Sequence, residues 1–116
     1  MTTRTKSALF DNTPTFSFEF FPPKTAEGAR SLLDTIVRLQ EFRPSFVSVT
    51  YGAGGSSREL TRSVVHDIQQ RGIPTVPHLT CVGHTAAQIE EILEGYAHAG
   101  ARAILALRGD PPRNSD

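Results

Sequence analysis

What most constrains the fold is a spacing. Glu19, Thr50, Thr80 and Arg108 stand 31, 30 and 28 residues apart, each near the C-terminal end of a strand-like segment. A strand, a crossover helix and two loops together need about thirty residues. Four such units in succession, with no antiparallel hairpin signal, predict a parallel α/β sheet. Either a doubly wound sheet or a barrel accommodates that much. The sequence then ends in a loop after the fourth strand, with no helix to cover it. A TIM barrel needs eight units over about 250 residues. The fold class read here is a (β/α)8 TIM barrel represented by its first four βα units, a fragment or half-barrel.

The units are read as follows. Residues 1–14 form an irregular lead-in closed by Pro14, and residues 15–116 the half-barrel. Strand one covers 15–21. Helix one follows Thr25 as N-cap, carries Ala29, Leu32, Leu33, Ile36, Val37 and Leu39 at helical spacing, and stops at Pro44. Strand two covers 46–51. Helix two opens on a Ser56–Glu59 capping box, shows a stripe of Leu60, Val64 and Ile68, and ends on Gly72 in a left-handed cap. Strand three covers 75–81. Helix three opens on a second box, Thr85 with Gln88, runs through Ile89, Ile92, Leu93 and Tyr96, and ends at Gly100. Strand four, 102–107, is nearly continuous in apolar residues, as expected of a parallel strand covered on both faces.

Composition excludes several classes. Hydrophobic residues at 38% and charged residues at 21% of 116 suit an ordinary globular chain. Twelve basic and twelve acidic side chains balance, with no basic stripe, so nucleic acid is not an expected partner. Cys81 is the sole cysteine, which rules out an internal disulfide framework and a multi-cysteine metal site, and fits a reducing cytoplasm. No apolar run approaches membrane-spanning length, and a secretory leader is not expected from residues 1–14, whose charges have no apolar run behind them.

Parallel α/β folds gather their chemistry at the C-terminal strand ends. The first end is the aromatic run Phe16-Ser17-Phe18-Glu19-Phe20-Phe21. Alternation sets Phe16, Phe18 and Phe20 on one face, and Ser17, Glu19 and Phe21 on the other. A carboxylate inside so apolar a strand reads as a proton-handling group held among apolar neighbours, or as a salt bridge within the sheet. The same parity turns Thr50, His78 and Thr80 toward the side of Glu19. Gly52-Ala53-Gly54-Gly55 could cradle a phosphate on backbone amides, but lacks both the dinucleotide-fold spacing and the P-loop Lys-Ser/Thr. His78 in its apolar strand reads as a core histidine. No second histidine stands at ligand spacing with a carboxylate, so no metal site is expected. His66 and His98 read as solvent-facing, and Cys81 as a buried spectator. In Arg108-Gly109-Asp110, Arg108 suits an anionic group, Asp110 a polar ligand ring, and Gly109 a close backbone approach.

At these strand ends the chain closely resembles the methylenetetrahydrofolate reductase family. The blocks that carry the resemblance are FSFEFFPPKT at 16–25, FVSVTYGAGGSSRELT at 46–61, PHLTCVGHT at 77–85 and ILALRGDPP at 104–112, in family order and spacing. The resemblance implies an FAD-holding (β/α)8 barrel that uses NADH or NADPH to reduce 5,10-methylenetetrahydrofolate. It implies Glu19 as the general acid and Thr50 beside the nicotinamide. Tyr51, Ala53, His78, Arg108 and Gly109 would line FAD, and Asp110 would touch both flavin and folate. A cytoplasmic, homo-oligomeric enzyme follows as an expectation, with turnover not expected of these 116 residues alone. Two alternatives stay open: a non-catalytic flavin- or nucleotide-binding half-barrel, and a barrel lyase or aldolase with Glu19 as base.

Overall fold

The computed structural model describes residues 14–51 and 58–110. Strands β1 (Phe18–Phe20), β2 (Val47–Val49), β3 (Thr75–Thr80) and β4 (Leu105–Leu107) alternate with helices α1 (Ala26–Leu39), α2 (Arg58–Gln70) and α3 (Ala86–His98). The strands form one parallel sheet in the order β1-β2-β3-β4. Each crossover therefore advances by one strand. A doubly wound sheet reverses its order at a switch point, and this sheet does not. The order is compatible with part of a barrel wall. Among the described residues β1 and β4 have one neighbour each, so the sheet is open at both edges.

The core lies on one face of this sheet. Ile36 of α1, Val64, Val65 and Ile68 of α2, Tyr96 of α3, and Val47 and Val49 of β2 belong to one buried cluster. Phe18, Phe20 and Ile104 pack against it. Three helices that share one cluster cover the same face of the sheet. Burying an Ile or Val side chain contributes about 1.5–3 kcal/mol, so this face dominates the fold's stability. Strand alternation then directs Glu19, Ser48 and Val76, which are in register, to the opposite face.

Register adds a stagger. β3 pairs with β2 through Thr75–Pro77 and with β4 through His78–Thr80. Pro77, which lacks an N–H, sits on the last rung before the partner changes. The C-terminal half of β3 is thereby set beside Leu105 and Leu107.

Local signals account for the helix ends. Thr25 Oγ1 accepts from the Gly28 amide at 3.0 Å, capping α1. Thr85 and Gln88 exchange both bonds of a capping box, at 3.2 and 2.9 Å, and start α3. Gly72, at φ +75°, follows α2 as expected. The Ser56–Glu59 box and the Gly52–Gly55 run fall in whole or part outside the described residues.

Several expectations need correction. The strands are shorter than read: residues 15–17 and 21, 46 and 50–51, 81, and 102–104 lie outside the ladder. Pro22 and Pro23 end β1 because neither offers an amide proton. Pro44 does not stop helix one directly. A 3-10 turn over Gln40–Phe42 follows α1, and Arg43 closes it in the left-handed region at φ 54°. The buried stripe of α2 is Thr61, Val64, Val65 and Ile68, while Leu60 is exposed. Val64 and Ile68 are buried as read, and Thr61 joins them, its Oγ1 donating to the Thr50 carbonyl at 3.0 Å. β4 is not covered on both faces: Leu105 and Leu107 are 43% and 41% exposed. Cys81 is exposed, not buried; it follows β3, where its amide bonds the Leu107 carbonyl at 3.1 Å.

Candidate active site at the strand ends

The face opposite the helices carries the titratable groups. Glu19 on β1 and His78 on β3 reach across β2, bringing Glu19 Oε1 and His78 Nε2 to 3.2 Å. His78 is buried, whereas the Glu19 side chain is 56% exposed. Apolar enclosure of Glu19 is thus absent in this chain, contrary to the reading of its aromatic strand. Phe21, expected beside it, is itself 78% exposed. The pairing is short, yet Nε2 makes no in-line hydrogen bond. What the arrangement provides is a carboxyl group next to a buried imidazole, open to solvent on its other side.

Beside this pair lies a concavity of about 650 Å³, lined by Tyr51, Thr80, Val82, Leu107, Arg108, Gly109 and Asp110. Its walls are mostly apolar, with a cation and an anion at the Arg108–Asp110 loop. Thr80 Oγ1 is buried there without a hydrogen-bond partner. A buried unpaired hydroxyl is costly, and a water or ligand atom in the concavity could satisfy it. His78 and Thr80 are two residues apart on β3, so one strand links the carboxyl pair to the concavity.

The surrounding elements hold these groups still. The Thr50 amide bonds the Phe20 carbonyl at 2.9 Å, and Thr61 holds the Thr50 carbonyl from α2. Tyr51 is buried and its hydroxyl lies 2.9 Å from His84 Nε2. Burial pushes the Tyr51 phenol above its ordinary range, with Arg58 pulling it down and Glu59 up. Burial likewise pushes Tyr96, behind it on α3, up to about 12. Gly109 adopts φ +85°, and a Cβ there would meet Val82 Cγ1 at 2.6 Å. The close approach that this glycine allows is to the β3–α3 loop.

Of the candidates read from the sequence, Tyr51, Arg108, Gly109 and Asp110 share the concavity, while Glu19 and His78 form the adjacent pair. Thr50 sits at the end of β2 outside the concavity lining, and Ala53 falls outside the described residues. Thr80, Val82 and Leu107 also line the concavity. Strand parity signalled Thr80; nothing local signalled Val82. His84 and Thr61 act through contacts distant in sequence, for which no spacing gives a sign. His66 and His98 are exposed, as read.

A sequence profile of the family described as Methylenetetrahydrofolate reductase matches residues 4–116. The 5,10-methylenetetrahydrofolate reductase of Salmonella typhimurium is 47% identical over 100 residues, which are 85% of this chain and 34% of that protein. The enzyme of that name from Pectobacterium carotovorum is 46% identical over 98 residues, 84% of this chain and 33% of that protein. Methylenetetrahydrofolate reductase (NADH) 1 of Zea mays is 41% identical over 110 residues, 94% of this chain and 18% of that protein. The chain thus spans about a third of the length of its bacterial relatives. With its parallel sheet, its strand-end groups and a match that runs almost from end to end, this chain belongs to the methylenetetrahydrofolate reductase family.

Proposed function

We propose that the chain supplies the first four βα units of a flavoprotein (β/α)8 barrel that reduces 5,10-methylenetetrahydrofolate with NADH or NADPH, turnover belonging to the completed barrel. The observation that carries this reading is the family match over residues 4–116, which also favours it over a lyase, an aldolase or a non-catalytic module. The site chemistry fits FAD. An apolar ring system bearing a few polar atoms suits a mostly apolar concavity whose buried Thr80 Oγ1 lacks a partner. Thr50, Tyr51, Ala53, His78, Arg108, Gly109 and Asp110 would hold the cofactor, Arg108 through an anionic group. Bound there, the flavin would supply the hydride relay between nicotinamide and folate.

The chain's own residues manage charge and protons. The folate's five-membered ring opens to an iminium cation only when the departing nitrogen is protonated. Glu19 delivers that proton, with His78 Nε2 3.2 Å from its Oε1. Asp110, as a carboxylate, faces the positive charge that develops. Cytoplasmic residence and a homo-oligomeric complete enzyme belong to the same proposal. Among the described residues no helix is long and apolar enough to cross a membrane.

The test grafts this chain in place of the matching third of the Salmonella typhimurium relative. The graft should bind FAD, oxidise NADH or NADPH and reduce methylenetetrahydrofolate, whereas the 116-residue chain alone should not turn over. In the graft, Glu19→Gln should leave nicotinamide oxidation nearly intact and slow folate reduction about a hundredfold to ten-thousandfold. Rapid-mixing traces in which both half-reactions fall together would remove Glu19 from the acid role. A graft with native FAD content but no folate reduction would overturn the substrate assignment.

A further inference from the structure

Tyr51 lines the concavity, yet its hydroxyl is engaged by a residue outside that lining. It lies 2.9 Å from His84 Nε2, and the two rings meet edge to face at 5.9 Å and 73°. We infer that His84 is a positioning residue whose Nε2 accepts the Tyr51 phenolic proton, so that Tyr51 offers the concavity its ring and not its hydroxyl.

The direction of the bond follows from what each partner needs. Tyr51 is 8% exposed, and a buried O–H left without an acceptor is destabilising by about 1–3 kcal/mol. Among the described residues, His84 is the partner that the hydroxyl meets. If Nε2 carried the hydrogen it would donate to the phenol oxygen, and the phenolic proton would have no acceptor among the described bonds. An accepting Nε2 requires the ring hydrogen on Nδ1. Arg58 and Glu59 of α2 and Tyr96 of α3 also act on Tyr51 or its neighbourhood, but none of them is a hydrogen-bond partner of its hydroxyl.

His84 is well placed for this task. Its amide bonds the Cys81 carbonyl at 3.3 Å, and it directly precedes Thr85, which the capping box locks. The imidazole therefore stands on a backbone fixed on both sides. It ties the end of β2 to the β3–α3 loop, which form two walls of one concavity. A ring held in this way selects flat apolar surfaces, and it withholds a phenol donor from whatever binds.

Calling the concavity a flavin site rests on the proposed function, and the experiment separates the two claims. Long-range proton–nitrogen NMR on the chain of 116 residues, at mildly alkaline pH, reads the tautomer of each histidine. His84 should carry its hydrogen on Nδ1 and revert to the commoner Nε2–H form in Tyr51→Phe. An Nε2–H form in the native chain, or no change in Tyr51→Phe, overturns the inference. In the graft, FAD dissociation constants give an independent reading. His84→Leu and Tyr51→Phe should each weaken binding roughly fivefold, and the double variant no further, because they remove one anchor. His84→Gln, whose amide oxygen can accept the same proton, should bind FAD as the native graft does. Additive losses, or a His84→Gln variant as weak as His84→Leu, overturn it. A native graft that does not bind FAD would refute the flavin reading, while the tautomer measurement would still decide the role of His84.

Discussion

Gly109 shows how little room the site leaves at a single residue. Its φ of +85° disfavours any side chain, and the nearest atom to an added Cβ is a branched methyl at 2.6 Å. Gly109→Ala should therefore destabilise the chain by about 1–3 kcal/mol in chemical denaturation, and shift the β3–α3 loop that walls the concavity. Asp110, one residue on, makes a different prediction. If its carboxylate faces the cation formed from the folate, Asp110→Asn in the graft should slow folate reduction more than nicotinamide oxidation. It should also raise the flavin midpoint potential in a redox titration, since a nearby negative charge disfavours an anionic reduced flavin. An unchanged potential would place Asp110 away from the cofactor. At this scale the sequence is a partial guide. Parity places Glu19 and His78 on one face because alternation is a local rule. The 56% exposure of Glu19 was not legible, since exposure depends on what covers a face.

Elements were legible to the extent that their causes are local. Thr25, Thr85 and Gln88 cap their helices as their spacing suggests, because a cap joins residues three apart. The stripe of α2 holds at Val64 and Ile68 but fails at Leu60, for the opposite reason. Leu60 fits the stripe on hydrophobicity, but Thr61 is fully buried and its hydroxyl reaches a carbonyl on another element. This contact makes Thr61→Val informative. The substitution keeps shape and removes the donor, so it should cost about 1 kcal/mol in denaturation midpoint. In the graft it should also loosen the end of β2, raising the Michaelis constant for the nicotinamide if Thr50 lies beside it. Thr61→Ser should recover most of both effects. Loss in both variants alike would assign the position to packing only.

At the scale of the molecule, the thirty-residue period made a sequential parallel sheet legible, and strand parity told which strand residues share a face. The mistaken coverage of β4 came from assuming that a continuous apolar strand is enclosed, when the described chain covers one face. The single core also sets a pH response. Tyr96 is buried, and its phenol is pushed up to about 12 from 10.0. Below pH 10 it is neutral in both folded and unfolded chains, and its contribution is fully present. Between 10 and about 12 the unfolded chain releases a proton that the folded chain keeps, so stability falls as pH rises. The loss should reach about 2–3 kcal/mol by the upper limit. Because Tyr51 and Tyr96 are the two tyrosines and there is no tryptophan, phenolate absorbance follows them directly. Tyr96→Phe should remove the late-titrating phenol and flatten the alkaline limb by that amount.

The alternation along these short strands has a consequence for how such a protein can change over generations. In β1, Glu19 faces away from the core while Phe18 and Phe20 pack against it; in β3, His78 pairs with Glu19 between Pro77 and Leu79. Chemistry and cohesion thus occupy interleaved positions within the same few residues. If Glu19 is the proposed acid, a substitution there can alter reactivity while leaving the aromatic pair that anchors the strand untouched. Inheritance of the scaffold and exploration of new reactions are separated by a single step along the backbone.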